Sequence, residues 1–388
     1  MSDLLAFSGA RIFDSENWHD DAALLVEFGH VVGIVSADDI PSDCGHVRLD
    51  GGMLVPGFID LQVNGGGGVL FNNSPTVDGI RTICEAHAQF GTTALLPTLI
   101  TDTAEVNVAA IAAGLAAEAA RVPGFLGLHL EGPHLARSRK GTHDPDLIRP
   151  MDEADLDRLV AAARDLPNLI CTIAAETVTA EQIAALNAAG AIVSIGHTDA
   201  GYDLAMSAID VGATMATHLF NAMSQMGSRE PGVVGAVLDS SPVFAGLIAD
   251  GIHAHPASIG VALRAKRGPG KIFLVTDAMS QTGTDIETLT LNGRTIYRSN
   301  GALRLADGTL AGADLDMIDA VNFMVDTIGI THDESLRMAS LYPAEAMGIA
   351  STHGHLMRNA RANLVHLSTD RQVQSTWIDG EVVYRAGS

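Results

Sequence analysis

The chain has 388 residues, 47% of them hydrophobic and 18% charged, so it can bury a large core in one barrel-sized domain with a smaller unit attached. The formal net charge of -23 and the scarcity of lysine argue against nucleic acid and anionic membrane as partners, because both require a basic patch. Cys44, Cys84 and Cys171 are far apart, and neither a secretion signal nor a run of about 18 apolar residues is found, which predicts a cytoplasmic protein without a disulfide framework.

The two ends of the chain contain short β-like runs that are separated by turns and not by helices. Residues 1–54 and 355–388 are therefore expected to pair into one small β-sandwich domain. This domain is discontinuous, because the intervening segment divides it in the sequence.

Residues 55–354 contain eight short, mostly apolar runs, each followed by turn residues and usually by a helical segment. Such runs, alternating with helices of about 10 to 15 residues, are typical of buried parallel strands with helical crossovers. The pattern predicts an α/β fold, a (β/α)8 barrel of the TIM type. The predicted strands are 58–64, 92–98, 125–132, 170–176, 191–197, 213–220, 243–251 and 271–278. A turn-rich excursion at about 280–311 and a last helix at 315–329 are expected to follow.

Gln62 and Asn64 lie two residues apart at the end of the first predicted strand, just before four glycines at 65–68. Residues i and i+2 of a strand project from the same face, so these side chains point together as paired metal ligands would. Amides are poor metal ligands, however. The pair is expected to hydrogen-bond water or substrate beside a site, and the glycines to let the backbone turn closely around it.

The chemistry of such a barrel lies at its C-terminal face, where strands end and loops begin. Glu131, His197, His218 and Asp277 stand at the ends of four predicted strands. Taken singly, a histidine there is more often hydrogen-bonded structure than a ligand, and Asp277 could cap a helix. Taken together, two imidazoles and a carboxylate can hold a metal with an open position for water, and a second carboxylate can take the proton of that water.

Several segments carry a resemblance to a known family, and they occur in the family's order: PGFIDLQVNG, GLHLEGPH, KGTHDP, SIGHT, THLFNAMSQM, IADGIHAHP, LVTDAM and LYPAEAMG. Over about residues 50 to 350 the sequence resembles the N-acetylglucosamine-6-phosphate deacetylases of the amidohydrolase superfamily. The resemblance implies hydrolysis of the acetamide of N-acetyl-D-glucosamine 6-phosphate to D-glucosamine 6-phosphate and acetate.

By that resemblance, Glu131, His197 and His218 would hold one divalent metal ion, with zinc expected first and iron or cobalt also compatible. Asp277 would take the proton of the attacking water and later give a proton to the departing amine. His143, in KGTHDP, would donate to the acetyl carbonyl oxygen, although without that motif it would be read as an ordinary loop histidine. His129 is expected behind the metal ligands or in the core.

The phosphate of the sugar needs donors, and the chain has few cations. The resemblance assigns this contact to Arg229 and His253, with backbone amides around Asn221 and Ala222 as further donors. It also implies a homodimer in which the arginine reaches the phosphate across the interface. The sequence alone would favour a solvated Arg229 paired with Glu230.

Some alternatives remain open. AGADLDM carries Asp314 and Asp316 where the family usually has small and hydroxyl residues, which leaves N-acetyl-D-galactosamine 6-phosphate as a second candidate substrate. A different single-metal amidohydrolase is a further alternative.

Two other classes fit less well. Two-metal cyclic amidases use an H-x-H motif on the first strand and a carbamylated lysine on the fourth, whereas this chain has Gln62 and Asn64 at the first position and no lysine in 170–176. A barrel that had become a non-catalytic scaffold would be expected to lose its ligands and its base together, yet all of them are present.

Overall fold

The computed structural model describes residues 4–387; residues 1–3 and 388, at the outer ends of the predicted small domain, lie outside it. Seven strands precede the barrel: β1 (Leu4–Ser8), β2 (Arg11–Phe13), β3 (Trp18–His19), β4 (Ala22–Glu27), β5 (His30–Ser36), β6 (Gly45–Arg48) and β7 (Met53–Pro56). The barrel and its crossovers follow: β8 (Phe58–Val63), β9 (Gly65–Gly66), β10 (Val69–Leu70), α1 (Val77–Ala88), β11 (Thr92–Ile100), α2 (Ala104–Ala119), β12 (Leu128–Glu131), α3 (Glu153–Asp165), β13 (Leu169–Ile173), α4 (Ala180–Ala188), β14 (Ile192–Ile195), α5 (Tyr202–Asp210), β15 (Ala213–Ala216), α6 (Gly232–Asp239), β16 (Phe244–Ile248), α7 (Pro256–Ala265) and β17 (Ile272–Val275). The remaining elements are β18 (Thr288–Leu291), β19 (Arg294–Ser299), β20 (Ala302–Leu305), β21 (Leu310–Ala313), α8 (Met317–Phe323), α9 (His332–Ala339), α10 (Leu341–Ala346), β22 (Leu364–Leu367), β23 (Val373–Ile378) and β24 (Glu381–Arg385). Within residues 4–387, no helix has both the length and the apolar character needed to cross a membrane.

Strands from the two ends of the chain form two sheets that pack face to face. One sheet has the order β5-β4-β1-β6 and the other β24-β23-β22-β7-β2-β3. Phe7 of the first sheet meets Trp377 of the second edge to face, with ring centroids 5.4 Å apart, in a shared apolar core. The predicted discontinuous β-sandwich is confirmed, and β7 runs across the expected boundary after residue 54.

Eight parallel strands form the central sheet in the order β8-β11-β12-β13-β14-β15-β16-β17, and each corresponds to one predicted strand. β8 and β11 are buried along their whole length, as expected for strands covered on both faces. Asp152 and Thr179 form capping boxes at the starts of α3 and α4, which fixes where these two crossover helices begin. The predicted (β/α)8 barrel is confirmed.

Side chains as well as backbone close the barrel between its first and last strands. The Asp277 amide donates to the Gln62 carbonyl oxygen at 2.9 Å. Below that point the carboxylate of Asp60 accepts the Thr276 amide at 3.2 Å and the Thr276 hydroxyl at 2.5 Å. Asp60 has no exposed surface, and burial raises its pKa to about 7. A carboxyl group therefore joins β8 to the residue that follows β17, directly beneath the barrel mouth.

The predicted excursion after β17 is more ordered than its turn-rich sequence suggested. It forms an antiparallel sheet, β18-β19-β20-β21, with its own small core around Leu289, Leu291, Ile296 and Leu303. The helix expected at 315–329 is α8, which ends at Phe323 and continues as a π-helical turn, Met324–Ile328. Helices α9 and α10 were not anticipated.

Candidate active site

Four barrel strands deliver the predicted chemical groups to one point at the C-terminal face. Glu131 is the last residue of β12, His197 and His218 follow β14 and β15, and Asp277 follows β17. All four are buried, with at most 9% of each residue exposed. Residues far apart in the sequence thus meet where a barrel of this type places its site.

Glu131 lies at the centre of this group. Its Oε1 atom is 3.3 Å from His197 Nε2 and 3.2 Å from His218 Nε2, and these two nitrogens are 3.0 Å apart. His143 approaches the other carboxylate oxygen, with Nε2 3.6 Å from Oε2, and ligand atoms of Glu131, His143 and His197 lie within 4.8 Å of one another. Three histidines therefore lie beside one carboxylate, and their other hydrogen bonds determine which of them can present a lone pair to a metal.

The hydrogen bonds made by Nδ1 of His197 and of His143 show which ring nitrogen carries the proton in each. His197 Nδ1 lies 2.8 Å from the carbonyl oxygen of Arg139, which can only accept, so Nδ1 carries the proton and Nε2 keeps a free lone pair. His143 Nδ1 instead accepts the backbone N–H of Thr101 at 3.3 Å and lies 2.8 Å from its hydroxyl. The proton of a neutral His143 ring is therefore on Nε2. Since a protonated nitrogen cannot bind a metal, these hydrogen bonds suit His197 to the role of a ligand and His143 to that of a donor.

The protonation states of Glu131, His143 and Asp277 suit a site that holds a cation beside a general base. Burial alone would raise the pKa of Glu131, but the three histidine rings beside its carboxylate outweigh this effect and hold the pKa well below its usual range. Burial lowers the pKa of His143 to about 4, so its ring is neutral at pH 7. Burial and the nearby charge of Glu131 raise the pKa of Asp277 to about 6. An ionised carboxylate for a metal thus lies near a second one poised to exchange protons near neutral pH.

The backbone is strained at three of these positions. His197, His218 and Asp277 have φ angles of 47°, 30° and 52°, in the left-handed region that costs a non-glycine residue about 1–2 kcal/mol. Each lies just after its strand, where the chain turns away from the barrel. Such strain is concentrated at functional sites.

The amide pair at the end of β8 binds the two carboxylates. Gln62 Nε2 donates to Glu131 Oε1 at 3.1 Å and to Asp277 Oδ1 at 3.2 Å, and Asn64 Nδ2 donates to the same Asp277 oxygen at 2.7 Å. Asn64 Oδ1 is buried and has no hydrogen-bond partner among residues 4–387, so it can accept one from a ligand. The following glycines pack away from the cavity: a Cβ on Gly65 would lie 2.4 Å from the Val69 carbonyl oxygen.

His129 belongs to the barrel interior. Its Nδ1 donates to the Leu61 carbonyl oxygen at 3.0 Å and its Nε2 lies 2.7 Å from the Thr172 hydroxyl. The Thr172 hydroxyl is hydrogen-bonded to the Thr217 hydroxyl at 2.6 Å, and the Thr217 hydroxyl to that of Ser194 at 2.7 Å. Both ring nitrogens of His129 are occupied, so it supports the floor of the site and does not bind a ligand.

A cavity of about 350 Å³ opens at this point, a volume suited to one small substrate. The predicted residues Asn64, Glu131, His143, His197, His218, Asn221, Ala222, His253 and Asp277 all line it. The sequence had not singled out the other lining residues, Ile100, Ser138, Arg139, Gly141, Thr142, Ile248, Thr309, Leu310 and Gly312.

The residues assigned to phosphate are only partly brought together. His253 Nδ1 lies 2.6 Å from the carboxylate of Asp250, which also accepts the His253 amide at 2.8 Å. The Asn221 amide already donates to the His218 carbonyl oxygen at 2.9 Å. The turn thus uses this amide, and its assignment to phosphate stays a prediction. The side chain of Asn221 and the amide of Ala222 remain as candidates.

Arg229 is exposed and is not part of the cavity lining. Glu230, which the sequence paired with it, instead accepts the amides of Tyr202 at 2.7 Å and Gly232 at 3.0 Å. The guanidinium of Arg229 is thus not held by its neighbour.

Asp314 and Asp316 also lie outside the cavity. Asp314 pairs with Arg298 at 2.8 Å, and Asp316 caps α8. Neither carboxylate lines the cavity, so no direct contact with a bound sugar supports a role for them in sugar recognition.

Three positioning residues escaped sequence reasoning: Thr101, Arg139 and Asp250. Arg139 contacts His197 through its backbone carbonyl, and Thr101 contacts His143 through its amide as well as its hydroxyl; backbone groups carry no residue signature. Only Asp250 had a usable signal, because a carboxylate three residues before His253 in DGIH is within reach of a turn.

Comparisons with known proteins identify several relatives of this chain. The sequence model of the amidohydrolase family matches residues 53–383. An N-acetylgalactosamine-6-phosphate deacetylase of Shewanella sp. (strain ANA-3) is 41% identical over 385 residues, 99% of this chain and 97% of that protein. An N-acetylglucosamine-6-phosphate deacetylase of Haemophilus influenzae is 36% identical over 93% of this chain and 94% of its own length. The crystal structure of N-acetylglucosamine-6-phosphate deacetylase from Pasteurella multocida superimposes with a TM-score of 0.94 at 37% identity, covering 98% of this chain and 99% of that one.

Proposed function

Because the chain belongs to the amidohydrolase family, we propose that it hydrolyses the acetamide of N-acetyl-D-glucosamine 6-phosphate to D-glucosamine 6-phosphate and acetate, in amino-sugar metabolism. The observation that carries the proposal is the meeting of Glu131, His197 and His218 with Asp277 and His143 in one buried cavity. The Haemophilus influenzae relative, which aligns with 93% of this chain at 36% identity, bears the corresponding name.

The donor set fits one divalent metal ion per chain, with zinc expected first and iron or cobalt compatible. Glu131, His197 and His218 would hold it, since their atoms converge within 3.0–3.3 Å and His197 presents a free lone pair. When bound, such an ion lowers the pKa of water to roughly 7 and polarises a carbonyl. Gln62 and Asn64 are amides, and no second set of ligands is formed by them.

Asp277 moves the protons of the reaction. Its carboxylate would take the proton of the water that attacks the amide carbon, and then give it to the amine nitrogen as the C–N bond breaks. Gln62 and Asn64 fix one of its oxygens through two N–H groups. The other oxygen is left to face water.

His143 stabilises the charge that develops on the carbonyl oxygen. The Thr101 amide sets its tautomer, so the Nε2–H group is available to donate. The ring is 1% exposed, and a donor works best against a developing charge in such a dry environment.

The phosphate is bound by His253 and the loop after β15. The Asp250 carboxylate lies 2.6 Å from His253 Nδ1 and so fixes the orientation of the ring, which lines the cavity. We assign Arg229 to the phosphate of a neighbouring subunit in a homodimer, in keeping with its exposed position outside the cavity of its own chain. The three cysteines are free thiols, in keeping with a reducing cytoplasm.

N-acetyl-D-galactosamine 6-phosphate is the second candidate substrate. The observation that favours it is the 41% identity with the Shewanella protein that bears this name. The decisive assay is acetate release from the 6-phosphates of both sugars, run side by side on enzyme of measured metal content. A larger kcat/KM for the glucosamine compound supports the first proposal, a larger value for the galactosamine compound supports the second, and no acetate from either contradicts both.

A further inference from the structure

The hairpin of β18 and β19 reaches from the excursion sheet to the loop that bears His143. Its turn is Asn292–Gly293, and both residues have left-handed φ angles, 49° and 73°, as a two-residue type I′ turn requires. Asn73 anchors the preceding strand by donating to the Thr290 carbonyl oxygen at 2.9 Å. The tip is therefore a rigid turn on a fixed strand.

Two side chains of this tip contact the two segments that hold the His143 ring. Arg294 Nη2 donates to the carbonyl oxygen of Thr142, the residue before His143, at 2.5 Å. Asn292 Nδ2 donates to the carbonyl oxygen of Thr101 at 3.4 Å. Thr101 is the residue whose amide and hydroxyl contact His143 Nδ1. One hairpin thus contacts both segments that position the His143 ring: the loop that bears it and Thr101, its hydrogen-bond partner.

Arg294 is the stronger of the two contacts. Its bond to Thr142 is short and charge-assisted, whereas the bond from Asn292 is long. Its Nε atom is buried and has no hydrogen-bond partner among the described residues, so part of the guanidinium is withdrawn from water to reach this carbonyl. Thr142 itself is 8% exposed and lines the cavity.

We propose that Arg294 is a positioning residue for catalysis, which holds the Thr142–His143 segment so that His143 Nε2–H points at the carbonyl oxygen of the substrate. This inference rests on the proposed function, because it assigns a task within that reaction. The excursion sheet then contributes a residue that positions His143, although the sheet lies outside the barrel. A displacement of about 1 Å at a catalytic group can lower the rate about 100-fold.

The test compares Arg294→Met, which keeps the apolar stem but removes the donors, with Arg294→Lys, which keeps a cationic donor. We expect R294M to lower kcat by about 10- to 100-fold and to change KM by less than about threefold, since the contact acts in the transition state. R294K should recover a large part of this loss. Metal content per chain should stay at the wild-type value in both variants.

A double-mutant cycle separates positioning from a general structural role. If Arg294 acts through His143, R294M should change kcat by less than about twofold in a His143→Ala background. Arg298→Met is the matched control: it lies on the same strand and pairs with Asp314 away from the cavity, so it should lower thermal stability but leave kcat unchanged.

The outcomes are distinguishable from failure of the proposed function. A wild-type enzyme that releases no acetate overturns the proposed function and this inference with it. An active wild type, together with R294M of unchanged kcat or with an equal R294M effect in the His143→Ala background, overturns this inference alone. If R294M does not fold, the same cycle is run with Arg294→Gln, which lacks the Nη donors. A kcat that falls in the wild-type background but not in the His143→Ala background supports the inference, and an unchanged kcat contradicts it.

Discussion

His143→Ala distinguishes a donor from a ligand at the centre of the site. The hydrogen bonds of the ring place the proton on Nε2, so the variant should keep one metal ion per chain but lose catalytic rate. His143 is 1% exposed and its Nε2 atom lies 3.6 Å from a buried carboxylate, so its bond to a developing oxyanion would form in a medium of low dielectric constant. Loss of one such donor costs about 2.7–4 kcal/mol, or roughly 100- to 1,000-fold in kcat.

The assay pairs elemental analysis with acetate release on dialysed protein, and His218→Ala is the matched comparison. His218 Nε2 lies 3.2 Å from Glu131 Oε1 and should be a ligand, so H218A is expected to lose metal and activity together. If H143A loses its metal while H218A retains it, the tautomer reasoning is refuted. Two metal ions per fully active wild-type chain would refute the single-metal site.

Three further outcomes are expected. Asp277→Asn should keep the metal and lose deacetylation by several orders of magnitude, because an amide cannot carry the proton; near-native kcat would remove Asp277 from this role. Arg229→Ala should raise KM far more for the phosphorylated sugar than for the unphosphorylated one, and equal effects on both would show that Arg229 does not bind phosphate. Asp60 has a folded-state pKa of about 7, above an unfolded value of about 3.9, so its stabilising contribution is complete below pH 3.9 and is lost as the pH rises through 7. Between pH 5.5 and 8 this loss amounts to about 2 kcal/mol, and it should be absent in Asp60→Asn when denaturant unfolding is measured at both pH values; equal losses in both proteins would contradict the assignment.

The sequence predicted the parts of the fold that local patterns encode. Eight apolar runs gave the eight barrel strands, because strands covered on both faces must be apolar throughout. Barrel topology then required Glu131, His197, His218 and Asp277 to converge, since the ends of parallel strands share one face. Periodicity and motif order sufficed for these features.

The unpredicted features depend on backbone groups and on distant contacts. The tautomer of His143 depends on the amide of Thr101, and every residue type except proline supplies such an amide. The Asn221 amide could not be known to be occupied, because the turn that uses it forms only in the folded loop. The contact between Arg294 and Thr142 joins segments about 150 residues apart, for which one sequence contains no signal.

The pairing of β7 with β22 has a consequence for how the protein is made. Pro56 pairs with Leu364, and at about 5 to 20 residues per second a ribosome needs on the order of 15 to 60 s to synthesise the chain between them. During that time one edge of β7 lacks its partner, although Leu54 and Val55 are fully buried in the finished protein. An apolar strand edge left open for so long invites association with other nascent chains. We therefore expect slower translation of the chain between β7 and β22 to lower the yield of folded protein.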